Sequence, residues 1–249
     1  RDDFRSPELI TLGIRMALLK TLSESLRGKS LSSGPVELRS PARGDWKQWA
    51  ELRSQSRSYL EPWEPTWTRD TLTRKAFGRR LRAYGLNAQA DTGYAFFIFR
   101  RDDSALVGSI SLNHVRRGVS QTGSVGYWTG EPFARKGYMT AALVGLLPFA
   151  FDTINLHRVS AACLPHNVAS RTLLEKVGFS EEGFARKYLR INGSWQDHVM
   201  YAVLSTDQRP SLDSLPAPGT SARSFASHID DEIEPVSAES GVPGFARQE

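Results

Sequence analysis

The stretch "EPFARKGYMTAALVGLLPFAF", Glu131 to Phe151, sets Arg135, Lys136 and Gly137 directly ahead of a run of apolar helix formers. The first turn of a helix leaves backbone N–H groups unpaired, and the aligned peptide dipoles add about half a positive charge there. A glycine lets the backbone come close to a ligand, and two cations beside it neutralise negative charge. The stretch therefore has the chemistry of an anion site, with Gly137 for the curl, Arg135 and Lys136 for charge and Thr140 for an extra hydroxyl. A diphosphate is its natural occupant. A solvated basic loop would show the same local pattern, so the surrounding elements have to decide. The GxxxxGK[ST] spacing of nucleotide hydrolysis is missing, and so is the GxGxxG of a dinucleotide site.

Other residues with chemistry to offer lie further along. "YLEPWEP" places Glu61, Trp63 and Glu64 in a proline-stiffened, acidic and aromatic segment. It suits a gate loop that attracts an amino group; a packed Trp63 beside solvated acids is the alternative. Asn167 stands where it can cap the helix "NVASRTLLEKVGF", and Ser170 is in that helix's first turn. Asp197 and His198 are neighbours on the last strand, where alternation sends them to opposite faces. One of the two can face a site; surface hydrogen bonding is the alternative. Cys163, the only cysteine, lies in the apolar run "VSAACLP" and reads as a buried small hydrophobe rather than a nucleophile. The histidines are scattered, without an i, i+4 pair, so no metal site is expected.

The elements that must position these residues follow from periodicity. "PVELRSP" reads as a short strand. "GDWKQWAELRSQSRSYL" reads as a helix capped by Asp45, with Gln48 three residues on and Trp46, Trp49 and Ala50 on one face. "TRDTLTRKAFGRRLRAYG" is a second, basic helix with Leu72, Ala76 and Leu81 inward. "YAFFIFRR", "ALVGSISLNHV" and "TGSVGYWTG" are strands of an antiparallel meander. The helix over about 138–151 is apolar on most faces and should be buried. A strand "HRVSAACLP", the helix from Asn167 ending at Gly178, and a hairpin turning at Asn192-Gly193 complete the series. The strand–helix–strand crossover from 123 to 164 makes the fold class α+β, with a mixed sheet.

Composition sets outer limits. The chain has 249 residues, which suits one domain plus tails or two small domains, and 40% hydrophobic with 24% charged content reads as a soluble globular protein. No apolar run reaches the length of a membrane span. A single cysteine excludes an internal disulfide and suggests a reducing, cytoplasmic compartment. The net charge of +5 is compatible with a ribosomal, RNA or anionic-cofactor partner and specifies none of them. Residues 1–33 carry a helical stripe, Leu9 to Leu22, and read as an appended helix or as upstream sequence without a role. Glu8 and Glu24 argue against a targeting peptide. Residues 207–249, rich in Pro, Ser, Gly and acid, read as a disordered tail. The compact domain is expected over 34–206.

The anion loop, "LPHNVASRTLLEKVGFSEEG" and "INGSWQDHVMYAVL", taken together, resemble the GNAT superfamily of acetyl-CoA-dependent N-acetyltransferases. With "SRSYLEPWEPTW" the likeness narrows to the ribosomal-protein alanine N-acetyltransferase, RimJ/RimL-like, branch, over about 35–205. The resemblance implies a mostly antiparallel twisted sheet flanked by helices, with a splayed pair of parallel central strands. It implies that the loop Ala134 to Met139 grips the pyrophosphate of acetyl-CoA, although Ala134 and Met139 depart from the family's Q/R-x-x-G-x-G/A. It implies that the strand carrying Trp128 and Thr129 pairs with the pantetheine arm; for the Tyr127 and Trp128 side chains, sheet packing is the simpler reading. Asn167 and Ser170 match N-x-x-S, which implies an amide contact to the arm and a serine that protonates the departing thiolate. Where the family has a glutamate base, this chain has Leu189, so no base is assigned; Glu61, Glu64, Asp197 and His198 are candidates.

The implied reaction needs a neutral amine near a thioester. An α-amino group of pKa near ~8 is about one tenth neutral at pH 7, whereas a lysine is less than about a thousandth neutral. A protein N-terminus is thus the acceptor that demands least base catalysis, and the resemblance implies that of a ribosomal protein, with ribosome association. The other readings are a small-molecule amine acetyltransferase and a non-catalytic acyl-CoA-binding or ribosome-assembly factor. A large acidic pocket would favour polyamines or aminoglycosides, and an open groove a peptide.

Overall fold

The computed structural model describes residues 30–215. The helix expected within 1–33 and most of the tail expected to be disordered lie outside them. Eight strands form one sheet: β1 (Leu31–Ser33), β2 (Val36–Arg39), β3 (Tyr94–Arg100), β4 (Leu106–Arg116), β5 (Thr122–Thr129), β6 (Arg158–Cys163), β7 (Ser180–Ile191) and β8 (Ser194–Leu204). Their spatial order is β1-β2-β3-β4-β5-β6-β8-β7. All neighbours are antiparallel except β5 and β6, the parallel pair joined by the crossover helix. Among the described residues five α-helices flank the sheet: α1 (Trp46–Gln55), α2 (Arg57–Leu60), α3 (Arg74–Gln89), α4 (Tyr138–Pro148) and α5 (Val168–Lys176).

The parallel pairing is short. Only Thr122–Ser124 pair with Arg158–Ser160, although β5 runs on to Thr129 and β6 to Cys163. From Val125 onward the two strands diverge, and the sheet opens at its centre.

Both faces of the sheet are covered, which is why β3 departs from alternation: Phe96, Phe97, Ile98 and Phe99 are all buried. One face carries α4 and the larger core. Met139, Ala141, Ala142, Leu143, Leu146 and Leu147 of α4 are buried against it, and each large side chain among them contributes roughly 1.5–3 kcal/mol. Small residues let α4 lie close to β1: a Cβ on Gly145 would come 2.6 Å from that of Ser33, whose Oγ donates to Ala141 O at 2.7 Å. The other face carries α1 and α3 over Trp49, Leu52, Phe77, Phe97, Phe99 and Leu106. In α3 the fully buried residue is Phe77; the expected Leu72, Ala76 and Leu81 are only half-buried.

Three local expectations are corrected. Strand β1 begins at Leu31, ahead of the boundary expected at 34. The turn Leu212–Ser214 packs Leu212 against the main core, inside the stretch expected to be disordered. Asp45 precedes α1 but makes no capping bond. Its carboxylate accepts from both terminal nitrogens of Arg39, at 2.9 and 2.7 Å, and from the Ala42 N–H at 2.7 Å. A bidentate, charge-assisted pair outcompetes a single backbone amide. Gln48 likewise turns away from the helix start and accepts the Leu106 N–H at 3.1 Å.

Candidate active site

The end of β5 is fixed from α1. A Cβ on Gly130 would fall 2.4 Å from Leu52 Cδ1, and the Glu131 N–H donates to the fully buried Ser56 Oγ at 2.9 Å. After the turn Glu131–Phe133 the chain takes left-handed conformations at Arg135 (φ 62°) and Gly137 (φ 80°) and enters α4. The first intrahelical bond there is Ala141 N–H to Gly137 O at 3.0 Å, and no side chain caps the helix. The amides of Tyr138, Met139 and Thr140 consequently have no intrahelical partner. Arg135 and Lys136 are exposed beside them. Met139 is 8% exposed and belongs to the core, so its side chain does not crowd the loop and only its amide is on offer. Sequence reasoning missed a third cation here. Arg100, at the end of β3, lies over the Phe133 ring with its Nη1 3.5 Å from Tyr138 Oη, and it pairs with Asp103.

The diverging half of β5 offers its backbone. The Gly130 N–H donates to Val107 O at 2.9 Å, and Trp128 and Gly126 stand opposite Ser109 and Ser111 in the same register. These residues bond toward β4. The residues between them, Val125, Tyr127 and Thr129, turn their N–H and C=O groups to the side that β6 has left. Thr129 thus faces the opening, whereas the backbone of Trp128 belongs to the β4 ladder and its indole packs on the α1 side.

On the α5 side of this opening, Asn167 is the expected cap: its Oδ1 accepts the Ser170 N–H at 3.1 Å. The Ser170 hydroxyl lies 2.8 Å from the Tyr127 hydroxyl. Tyr127 is therefore not a packing residue alone, and that is a correction. Burial pushes its phenol well above the usual range, with the Ser170 bond opposing. Cys163 is buried as expected; desolvation pushes its thiol up, and a hydrogen bond from Ser170 works the other way.

The gate segment reaches the same place. The Trp63 ring sits 5.5 Å from that of His166, just ahead of Asn167. Glu61 is half-buried and paired with Arg57 at 2.6 Å. Glu64 is not free to meet an acceptor. Its two oxygens bind the Arg53 guanidinium at 3.1 and 2.5 Å, and Oε2 also accepts the Trp67 indole N–H at 2.8 Å. Arg53 is 5% exposed and lies over the rings of Trp67 (4.3 Å) and Trp128 (4.9 Å). The signal for it was in the sequence: a lone cation one turn after Trp49, on the buried face of α1. Asp197 is also occupied, accepting the Lys187 N–H at 2.8 Å across the β7–β8 bulge. His198 is buried and bound to Gln196 O at 3.0 Å. Leu189 is exposed.

A cleft of about 300 Å³ runs along the face of β5 and β6 that carries Ser124, Ser160 and Ala162, and continues to Tyr188 and Met200. His114 and Arg116 line it too, and no lining residue is acidic. Among the described residues no cluster suits a metal ion, and no helix is long and apolar enough to cross a membrane.

Comparison with known proteins agrees with this geometry. The model of the acetyltransferase (GNAT) domain matches residues 36–180. The [ribosomal protein uS5]-alanine N-acetyltransferase of Escherichia coli is 34% identical over 170 residues, covering 68% of this chain and 86% of the relative. The solved ribosomal-protein-S5-alanine acetyltransferase of Vibrio fischeri superposes with a TM-score of 0.67 at 28% identity, covering 73% of this chain and all of the other. Mycobacterium smegmatis RimJ, solved in complex with CoA-disulfide, gives 0.65 at 29% identity, covering 76% and 89%. A mixed sheet splayed at its one parallel pair, an uncapped glycine-led helix at the opening and a family match across both make the conclusion direct: the chain belongs to the GNAT family of N-acetyltransferases.

Proposed function

We propose that this enzyme transfers acetyl from acetyl-CoA to the α-amino group of a protein N-terminus, that of a ribosomal protein, in the cytoplasm. The observation that carries the reading is the opening between β5 and β6, with three partnerless amides at one margin and Ser170 at the other. The residues present fit the coenzyme. The amides of Tyr138, Met139 and Thr140 receive phosphate oxygens, with Arg135, Lys136 and the positive helix end balancing the charge and Gly137 giving close approach. Thr129 and Tyr127 present backbone groups with which an extended amide arm pairs as an added strand. Trp128 supports that strand from behind. Asn167, its Oδ1 engaged in the cap, has its side-chain NH₂ for the arm. The coenzyme supplies an acetyl group activated as a thioester.

Within the protein, Ser170 holds a proton for the sulfur that leaves. Glu61 attracts the incoming amine and Trp63 walls the acceptor entrance; Glu64 and Asp197 hold the loop and hairpin around it rather than touching the acceptor. An α-amine needs little base catalysis at neutral pH, so positioning supplies much of the acceleration without an assigned carboxylate base. The kinship with the E. coli uS5-alanine enzyme supports the ribosomal acceptor.

Thiol release from acetyl-CoA tests the reading with alanine- and serine-started ribosomal peptides alongside spermine. Turnover with the peptides is the expected result. Turnover with spermine alone moves the assignment to small amines, and tight CoA binding without turnover on any acceptor moves it to a binding protein.

A further inference from the structure

We infer that Tyr127 is a positioning residue for the transfer: its phenol donates to Ser170 Oγ and so directs the serine's own proton toward the sulfur of the leaving thiol. The inference rests on the role proposed above for Ser170. Tyr127 combines two features of one strand position. Its backbone lines the opening left by β6, and its side chain crosses to α5, where the two hydroxyl oxygens stand 2.8 Å apart.

A serine hydroxyl has one proton to give and two lone pairs to receive with. The direction of the Tyr127–Ser170 bond therefore decides where the serine proton points. Burial holds the phenol in its neutral form, so Tyr127 has a proton to donate at any working pH. With the phenol donating, the Ser170 proton must find another acceptor. The Asn167 Oδ1 already accepts the Ser170 backbone N–H. The Cys163 sulfur beside it belongs to a thiol that desolvation keeps neutral, a weak acceptor that leaves the Ser170 proton available. Tyr127 thus frees that proton for the sulfur of a leaving thiol.

The bookkeeping of the step closes. The amine nitrogen bonds to the acetyl carbon, and the C–S bond breaks with its electron pair going to sulfur. Sulfur takes the Ser170 proton and leaves as a thiol. The surplus proton of the amine returns to Ser170 Oγ through water. While Oγ lacks its proton, the Tyr127 O–H bond to it becomes charge-assisted and stronger.

The test is Tyr127→Phe, Ser170→Ala and the double variant, assayed by thiol release with whichever acceptor the wild-type enzyme turns over. Tyr127→Phe should lower kcat about tenfold or more at unchanged KM for both substrates, because a contact that touches neither substrate and strengthens as charge develops acts on kcat. In the Ser170→Ala background the same change should cost less than about twofold, as a double-mutant cycle requires of a residue acting through another. A Tyr127→Phe enzyme within twofold of wild type overturns the inference. So does an equal loss with and without Ser170, which is the signature of a merely structural role. Ser170→Ala at wild-type kcat overturns the proton-donor assignment and this inference with it. Turnover of spermine but not peptide overturns only the N-terminal reading. Should the phenylalanine variant fail to fold, Tyr127→Met carries the same expectations.

Discussion

Arg53 and Glu64 offer the sharpest test of how the acceptor side is held. Their side chains are 6% and 19% exposed, and together they tie the end of α1 to the gate segment and to Trp128. Removing one member of such a pair leaves the other charged and poorly solvated, at a cost of about 3–5 kcal/mol. Glu64 keeps a fifth of its surface in water and Trp67 as a donor, so Arg53→Met belongs near the lower end, about 3 kcal/mol. For a domain of this size that is a fall in Tm of roughly 6–12 °C. Glu64→Gln should cost less, about 2 kcal/mol, because a neutral amide still accepts one bond while the indoles continue to face the cation. The double variant should be no worse than Arg53→Met alone, since neither charge is then stranded and the unpartnered Arg53 Nε is gone as well. Urea unfolding of the four proteins gives the coupling energy. KM for the acceptor should rise in both single variants by more than the dissociation constant for CoA, because the α4 amides lie outside this clamp and only Trp128 links it to the arm-pairing strand. A coupling below about 0.5 kcal/mol, or equal losses for acceptor and CoA, would refute the reasoning.

Other consequences can be measured directly. Gly137→Ala imposes a Cβ on a left-handed residue at about 1–2 kcal/mol and should weaken CoA binding measured by calorimetry; unchanged affinity would remove Gly137 from the site. Gly108→Ala sets a Cβ 2.2 Å from the Trp128 carbonyl oxygen, so the urea midpoint should drop by the equivalent of about 1–3 kcal/mol; an unchanged midpoint would mean that β4 and β5 can spread. Burial raises the phenols of Tyr94 and Tyr127, and it pushes Tyr201 up to about 12, with Glu175 adding and Arg171 opposing. Folding favours the neutral form of each, so their contribution is complete below the unfolded value near ~10 and is lost as pH climbs past it. The urea midpoint should fall from about pH 10 towards pH 12, and Tyr201→Phe should flatten that fall; a midpoint that rises with pH contradicts the assignment.

The reach of the sequence follows the reach of each interaction along the chain. The turn into α4 was legible because a glycine with φ 80° followed by a helix start is a matter of adjacent residues. The Asn167 cap spans three residues, and the Asn192-Gly193 turn follows from two left-handed positions. The buried character of α4 followed from its apolar circumference. What failed depended on partners far away. Asp45 obeyed Arg39 rather than its own helix. Glu64, read as a free acid, met Arg53 eleven positions back, and the Tyr127 hydroxyl found Ser170 forty-three positions on. Strand β1 escaped notice because three residues carry too little periodicity to read. By itself the sequence determined most of the elements, the glycine-led turn into α4 and, through resemblance, the family. Only the tertiary structure decided which charges neutralise one another, where β5 leaves β6 and which hydroxyl faces Ser170. Backbone geometry is set by near neighbours, whereas a side chain's partner is whatever the finished packing brings within 3 Å or so of it.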